Sequence, residues 1–200
     1  MRPAILLTLA ALTAQAQTAK QQISASIDTK FDAYRTVASQ IWTLAEVGYQ
    51  ETQSSALLQS ELTKAGFKVR AGVAAMPTAF VAEFGSGQPV IGILAEFDAL
   101  PGLSQNVATE RSPIEGKAAG HACGHHLFGT ASVAAGIAVK EWLQRTGRPG
   151  TIRVYGTPAE EGGGGKIYMV RAGLFRDVDV VLDWHPGSSN NASPGTSLAN

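Results

Sequence analysis

"VIGILAEF" runs from Val90 to Phe97. Apart from Glu96 it is apolar or glycine. A nearly continuous apolar run of this length suits a strand buried on both faces. Upstream, "TAFVAEF" (Thr78–Phe84) is rich in strand-forming residues, and "GSG" at Gly85–Gly87 supplies the turn between the two. Downstream, a helix rich in Ala, Val and Ile is predicted from Cys123 to Leu143, and "RTGRPG" (Arg145–Gly150) breaks it. "TIRVYGT" (Thr151–Thr157) is the next strand. A short helix over Lys166–Ala172 leads into "VDVVLDW" (Val178–Trp184), predicted as another buried strand. Strands alternating with helices are the α/β signature.

Two helices are predicted before the first strand. One covers Ser24 to Val47, with Ile27, Phe31, Tyr34, Ile41, Leu44 and Val47 on one face and Gly48 as its stop. The other covers Ser54 to Ala65, with Gly66 as its C-terminal glycine. Both are expected to cover the sheet. No internal repeat is visible. The polar, turn-forming stretch "HPGSSNNASPGTSLAN" reads as a linker.

Of the 200 residues, 44% are hydrophobic and 16% charged, enough apolar material for a packed core. Lys plus Arg and Asp plus Glu balance at 16 each, so no basic face for nucleic acid is implied. The N-terminus reads as an export signal. Arg2 is followed by the apolar run Ala4–Leu12 and the small-x-small site Ala14-Gln15-Ala16. The run is too short to span a bilayer. Residues 1–16 are therefore expected to be removed, leaving a periplasmic or secreted protein with no membrane partner. In an oxidising compartment a single cysteine, Cys123, has no internal partner. It is a free thiol, an intermolecular link or a metal ligand.

Polar clusters sit where the strands are expected to end. Glu96 and Asp98 follow the first buried strand, Glu160 and Glu161 follow Thr151–Thr157, and Asp183 and His185 close the strand Val178–Trp184. "HACGHH" (His121–His126) opens the long helix and holds the only cysteine and three of the four histidines. In open α/β sheets the functional crevice lies outside the carboxyl ends of the strands. Carboxylates, imidazoles and a thiolate together suit a divalent transition metal such as zinc or manganese. Adjacent Glu160 and Glu161 repel each other after a buried strand, and a cation removes that conflict. Each cluster taken alone also fits a solvated loop, a small buried hydrophobe or a turn. Their expected co-location favours a metal site.

Competing motifs fail. "EEGGGGK" lacks the first glycine of a phosphate loop and has Ile167 where Ser or Thr is needed. No Gly-x-Ser-x-Gly elbow is present. A Cys–His hydrolase with Cys123 as nucleophile leaves Glu96, Glu160 and Glu161 unexplained.

"AEFDALPG" (Ala95–Gly102), "HACGHH", "PAEEGGGGK" (Pro158–Lys166) and "DWHPG" (Asp183–Gly187) together resemble the di-metal amidohydrolases of the aminoacylase and carboxypeptidase type. Within that family the sequence is most similar to the branch of aminobenzoyl-glutamate hydrolases and indole-acetyl-amino-acid (auxin conjugate) hydrolases. The resemblance implies a three-layer, zinc-exopeptidase-like α/β domain with a mostly parallel mixed sheet. It implies two divalent metal ions, zinc or manganese. Cys123 would bridge them, His125 would bind one, and Glu161 and His185 would be further ligands. Glu160 would be the general base and Asp98 would orient a ligand or the base. Glu96 is left out of the ligand set. Neighbouring side chains on extended backbone point opposite ways, which would divide Glu160 and Glu161 between base and ligand.

His126 stands where many members of the family have Asp. A further ligand His and a lid domain, which in the family mediates dimerisation, are not found in these residues. The expectation is an N-terminal fragment: the first half of a catalytic domain over 17–187 and a linker over 188–200, with an incomplete site and part of its sheet unpaired. The function expected of the whole protein is a homodimeric, metal-dependent hydrolase. It would cleave the amide bond of N-acyl or aminobenzoyl amino acids or small dipeptides. The alternative is an exported, non-catalytic metal-binding protein on the same scaffold.

Overall fold

The computed structural model describes residues 17–189. The expected export signal over 1–16 and all but the start of the expected linker over 188–200 lie outside them. The elements run α1 (Ala19–Asp28), α2 (Phe31–Leu44), α3 (Thr52–Lys64), β1 (Lys68–Ala71), β2 (Phe80–Ser86), β3 (Val90–Ala95), β4 (Leu100–Pro101), β5 (Ala119–Gly120), α4 (His125–Thr146), β6 (Gly150–Gly156), α5 (Gly165–Arg171) and β7 (Val180–Leu182). The main sheet has the order β1-β2-β6-β3-β7. Pairing is antiparallel between β1 and β2 and between β2 and β6, and parallel from β6 to β3 and β3 to β7. Only β2 is therefore reversed, and the sheet is mixed but mostly parallel in strand direction. β4 and β5 form a separate small antiparallel pair.

Alternation along the strands sorts the core into two layers. Phe80, Ala82, Ile93, Ala95, Ile152 and Val154 face α2, α3 and α4, where Ile41, Leu58, Leu62, Val133 and Ile137 meet them. Val81, Leu94 and Tyr155 point the other way and pack with Met169 of α5. Helices on both faces of one sheet make the three layers.

Gly129 lets α4 close onto the end of β3. A Cβ there would lie 2.6 Å from the Glu96 carbonyl oxygen and 3.0 Å from Leu58 Cδ1. This approach brings the helix N-terminus to the strand end that carries the acids.

Two expectations are corrected. The single helix predicted over Ser24–Val47 is two helices. Thr29 and Lys30 interrupt it, and Lys30 leaves helical geometry at φ −114° and ψ 10°. The apolar period continues across the break because both pieces pack on α4. The second piece ends at Ala45, which takes a left-handed cap at φ 45°, so Gly48 is not the stop. Secondly, β7 is not buried: Val180, Val181 and Leu182 are 49%, 41% and 52% exposed. Among the described residues it pairs with β3 alone and forms an edge of the sheet. β1 was not anticipated, because "KVRA" offers only Val69 to the core.

The Gly129 contact sets a test. Helix propensity alone favours Gly129→Ala by about 1 kcal/mol. The clash with backbone reverses the sign, and the variant is expected to lose about 1–3 kcal/mol in a denaturant titration. A gain in stability would show that α4 does not approach β3 this closely.

Candidate metal centre

Three parallel strands deliver their polar ends to one edge of the sheet. Glu96 and Asp98 follow β3, Glu160 and Glu161 follow β6, and His185 follows β7. His125 is the first residue of α4, directly after Gly124, which caps the helix in the left-handed region at φ 84°. Cys123 lies one residue further back. The six residues expected at the site (Asp98, Cys123, His125, Glu160, Glu161 and His185) come together here.

His125 is at the centre and fully buried. Its Nδ1 lies 3.0 Å from the Asp98 carbonyl oxygen and 3.1 Å from Asp98 Oδ1. Both are acceptors, so Nδ1 carries the hydrogen and donates it. Its Nε2 points at carboxylates: Glu96 Oε2 at 2.9 Å, Glu161 Oε1 at 3.8 Å and Glu160 Oε2 at 3.9 Å. On the far side Cys123 Sγ is 3.2 Å from His185 Nε2. The His185 ring stands edge-on to His125 at 5.8 Å, and its Nδ1 contacts the Pro186 carbonyl.

A divalent metal fits this arrangement. The ligand atoms of Cys123, His125 and His185 lie within 4.8 Å of one another, as do those of Glu96, His125 and Glu160. His125 Nε2, Glu96 Oε2 and Glu161 Oε1 are buried and lack any hydrogen bond of good geometry. Buried polar atoms without good partners are costly, and a cation held by either group would offset part of that cost. The carboxylate on the opposite imidazole nitrogen is the usual outer support of a histidine ligand.

The electrostatics agree. Burial by itself lowers the His125 pKa, yet the Asp98 hydrogen bond, the close Glu96 carboxylate and the charges of both push it up to about 10. Burial, the Glu161 hydrogen bond and the surrounding carboxylate charges push the Cys123 thiol up to about 12. That is the opposite of a nucleophilic cysteine's environment, which is electropositive. Glu160 is raised by burial and then by the charge of Glu96. The group is a nest of acids that calls for positive charge.

The two glutamates do differ, but not through extended backbone. They sit on a turn after Ala159, whose φ is 57°. Glu161 turns inward with 15% of its side chain exposed, whereas Glu160 keeps 43% exposed. The Glu161 amide donates to Asp98 Oδ2 at 2.9 Å. Asp98 thus holds both His125 and the glutamate turn.

Glu96 stands beside His125 in the site, although the ligand set expected from the sequence leaves it out. Lys166 of α5 makes an ion pair with its other oxygen. The signal was available: Glu96 and Asp98 are two apart after a strand and so share a face. His121 and His126 lie behind the site. His121 Nε2 contacts the Ile41 carbonyl at 3.1 Å, so Nε2 carries the hydrogen and Nδ1 is left buried without a partner. His126 packs against the Trp42 edge and the His121 ring.

Comparison with known proteins agrees with this geometry. The model of peptidase family M20/M25/M40 matches residues 92–198. One of the polypeptides named as p-aminobenzoyl-glutamate hydrolase in Escherichia coli strain K12 is 47% identical over 188 residues, covering 90% of this chain and 38% of the relative. The Xaa-Arg dipeptidase of Mus musculus is 32% identical over 192 residues, covering 90% of this chain and 41% of the relative. The chain thus spans about two fifths of the length of these curated relatives. Among solved structures, a Bacillus subtilis protein described as a dinuclear metal-binding peptidase superposes with a TM-score of 0.62 at 24% identity. The match covers 77% of this chain and 43% of the other.

The buried histidines predict a pH profile. Burial first, then charge repulsion from neighbouring histidines, lowers His121 and His126 to about 4 from the ordinary 6.5. The unfolded chain therefore takes up protons that the fold excludes. Their stabilising effect is complete above pH 6.5 and is lost as pH falls towards 4. His125, raised to about 10, acts with the opposite sign. Its contribution is complete below 6.5 and is lost as pH rises towards 10. With divalent metal chelated, thermal melts should peak near neutral pH. His126→Asn should flatten the acid limb, and an unchanged acid limb would contradict the burial account.

Proposed function

The chain belongs to peptidase family M20/M25/M40, and on that premise we propose that it forms part of a metal-dependent hydrolase. The bond cut is the amide of an N-acyl or aminobenzoyl amino acid, or of a small dipeptide. One observation carries this reading: the buried His125, with Asp98 on Nδ1, aims its Nε2 at the buried carboxylate oxygens of Glu96 and Glu161. The donors suit zinc or manganese. Relatives named for p-aminobenzoyl-glutamate hydrolysis and for Xaa-Arg dipeptides support a small amide substrate. They give no support to a non-catalytic metal-binding protein.

Cys123 would be shared between two ions, His125 would hold one, and Glu161 and His185 would complete the ligands from this chain. When bound, the ions supply Lewis-acid chemistry, acidifying a water and polarising the scissile carbonyl. Glu160 has the open side chain of the pair and a raised pKa. It takes the proton from the attacking water and returns it to the leaving amine. Asp98 keeps Nδ1 of His125 protonated and the ring oriented. The even charge balance argues against a nucleic acid partner. The reading extends to export directed by residues 1–16, and to a homodimer formed through a lid domain beyond the linker.

Two variants of the complete protein containing this sequence test the assignment. Glu160→Gln should lower kcat by about 10²–10⁴-fold with metal content unchanged. Retained turnover, or lost metal, would sink the base role. Asp98→Asn should weaken metal affinity by about 10–100-fold, read by competition with a chromogenic chelator. Wild-type affinity there would show that Asp98 does not support the ligand.

A further inference from the structure

Glu51 is fully buried, and its carboxylate contacts the segment that carries the two glutamates. Oε1 accepts the Ala159 amide at 2.9 Å across 108 residues of sequence. Ala159 is the residue held in the left-handed region, where an alanine is strained. The next two residues are Glu160 and Glu161. Around that strained position the packing leaves no slack. A Cβ on Gly163 would lie 2.6 Å from both Ala159 Cβ and the Tyr49 ring, and one on Gly48 would lie 2.9 Å from Ala159 Cβ. The Tyr49 hydroxyl donates to the Gly163 carbonyl.

Helix capping does not account for Glu51. It sits at the N-terminal boundary of α3, yet its side chain makes no capping bond there. Glu46 does that work: it accepts the Gln53 amide at 3.1 Å and the Ser54 amide at 2.8 Å, as well as the Ser54 hydroxyl. A carboxylate taken out of water is costly, and burial does push the Glu51 pKa up. Oε1 is committed to the backbone of the glutamate turn, and Oε2 stays buried without a hydrogen bond of good geometry.

We propose that Glu51 is a positioning residue: its buried carboxylate pins the left-handed turn at Ala159 and so aims Glu160 and Glu161. The proposal rests on Glu160 as base and Glu161 as ligand. Asp98 grips the turn from the other side through the Glu161 amide. Two acids from distant segments then clamp consecutive parts of one turn. Swinging either glutamate away costs a hydrogen bond donated by a backbone amide of the turn.

The complete protein is tested with Glu51→Met, which keeps length and removes the acceptor, and with Glu51→Gln, which keeps an acceptor oxygen. In Glu51→Met, kcat for an N-acyl amino acid should fall by about 10²-fold, as for a misplaced catalytic group, with KM within about twofold. Amide hydrogen exchange over 159–163 should quicken by about tenfold or more, while β3 and α4 stay protected. Glu51→Gln should restore most of both. Wild-type kcat and loop exchange in Glu51→Met would overturn the proposal. So would a Gln variant as impaired as Met, or exchange rising equally in β3 and α4. Should Glu51→Met fail to melt cooperatively, a folded Glu51→Gln with a protected loop supports the proposal and one with an exposed loop overturns it. If the wild-type protein hydrolyses no amide, the proposed function fails, and loop exchange alone judges Glu51.

Discussion

The Asp98 side chain ties together three parts of the chain that meet nowhere else in sequence. It stands just past β3, receives the His125 N–H from the start of α4, and receives the Glu161 amide from the turn after β6. The tautomer of the central imidazole and the placement of the paired glutamates both follow from it. The parallel run of β6, β3 and β7 makes this possible, because it sends all three polar strand ends to one edge. Close approach of α4 at Gly129 supplies the fourth segment.

Charge at the site is unbalanced. Glu96, Asp98, Glu160 and Glu161 surround the His125 imidazole and the Cys123 thiol, with His185 beside them. With no cation counted, the imidazole holds its proton to about pH 10 and the thiol to about 12. Lys166 answers part of the charge through Glu96. A divalent ion inverts the local logic, since it favours the bare imidazole and the thiolate at once. The same residues that look frustrated as a protein cluster are complementary as a ligand set.

The two central strands were legible because their runs are mostly apolar, with Arg153 the one charged residue in them. Val90–Ala95 and Gly150–Gly156 fall where the apolar runs predicted. Errors arose where an apolar pattern had two structural meanings. The face from Ile27 to Leu44 continues over two helices because both pack on α4, so period alone hid the break at Thr29 and Lys30. "VDVVLDW" looks like an interior strand, but burial depends on what lies beside it. Among the described residues β7 has a partner on one side only.

By itself the sequence determined that six candidate site residues would stand at strand ends or at the start of a helix. Asp98, Cys123, His125, Glu160, Glu161 and His185 follow strands or open a helix, and that order is local information. Tertiary structure decided the division of labour. It drew Glu96 to His125, turned Glu161 inward and left Glu160 open, and set Glu51 under the strained turn at Ala159. Those outcomes depend on distances between segments up to 108 residues apart. Residue type and spacing carry no measure of such distances, which packing against a shared sheet alone sets.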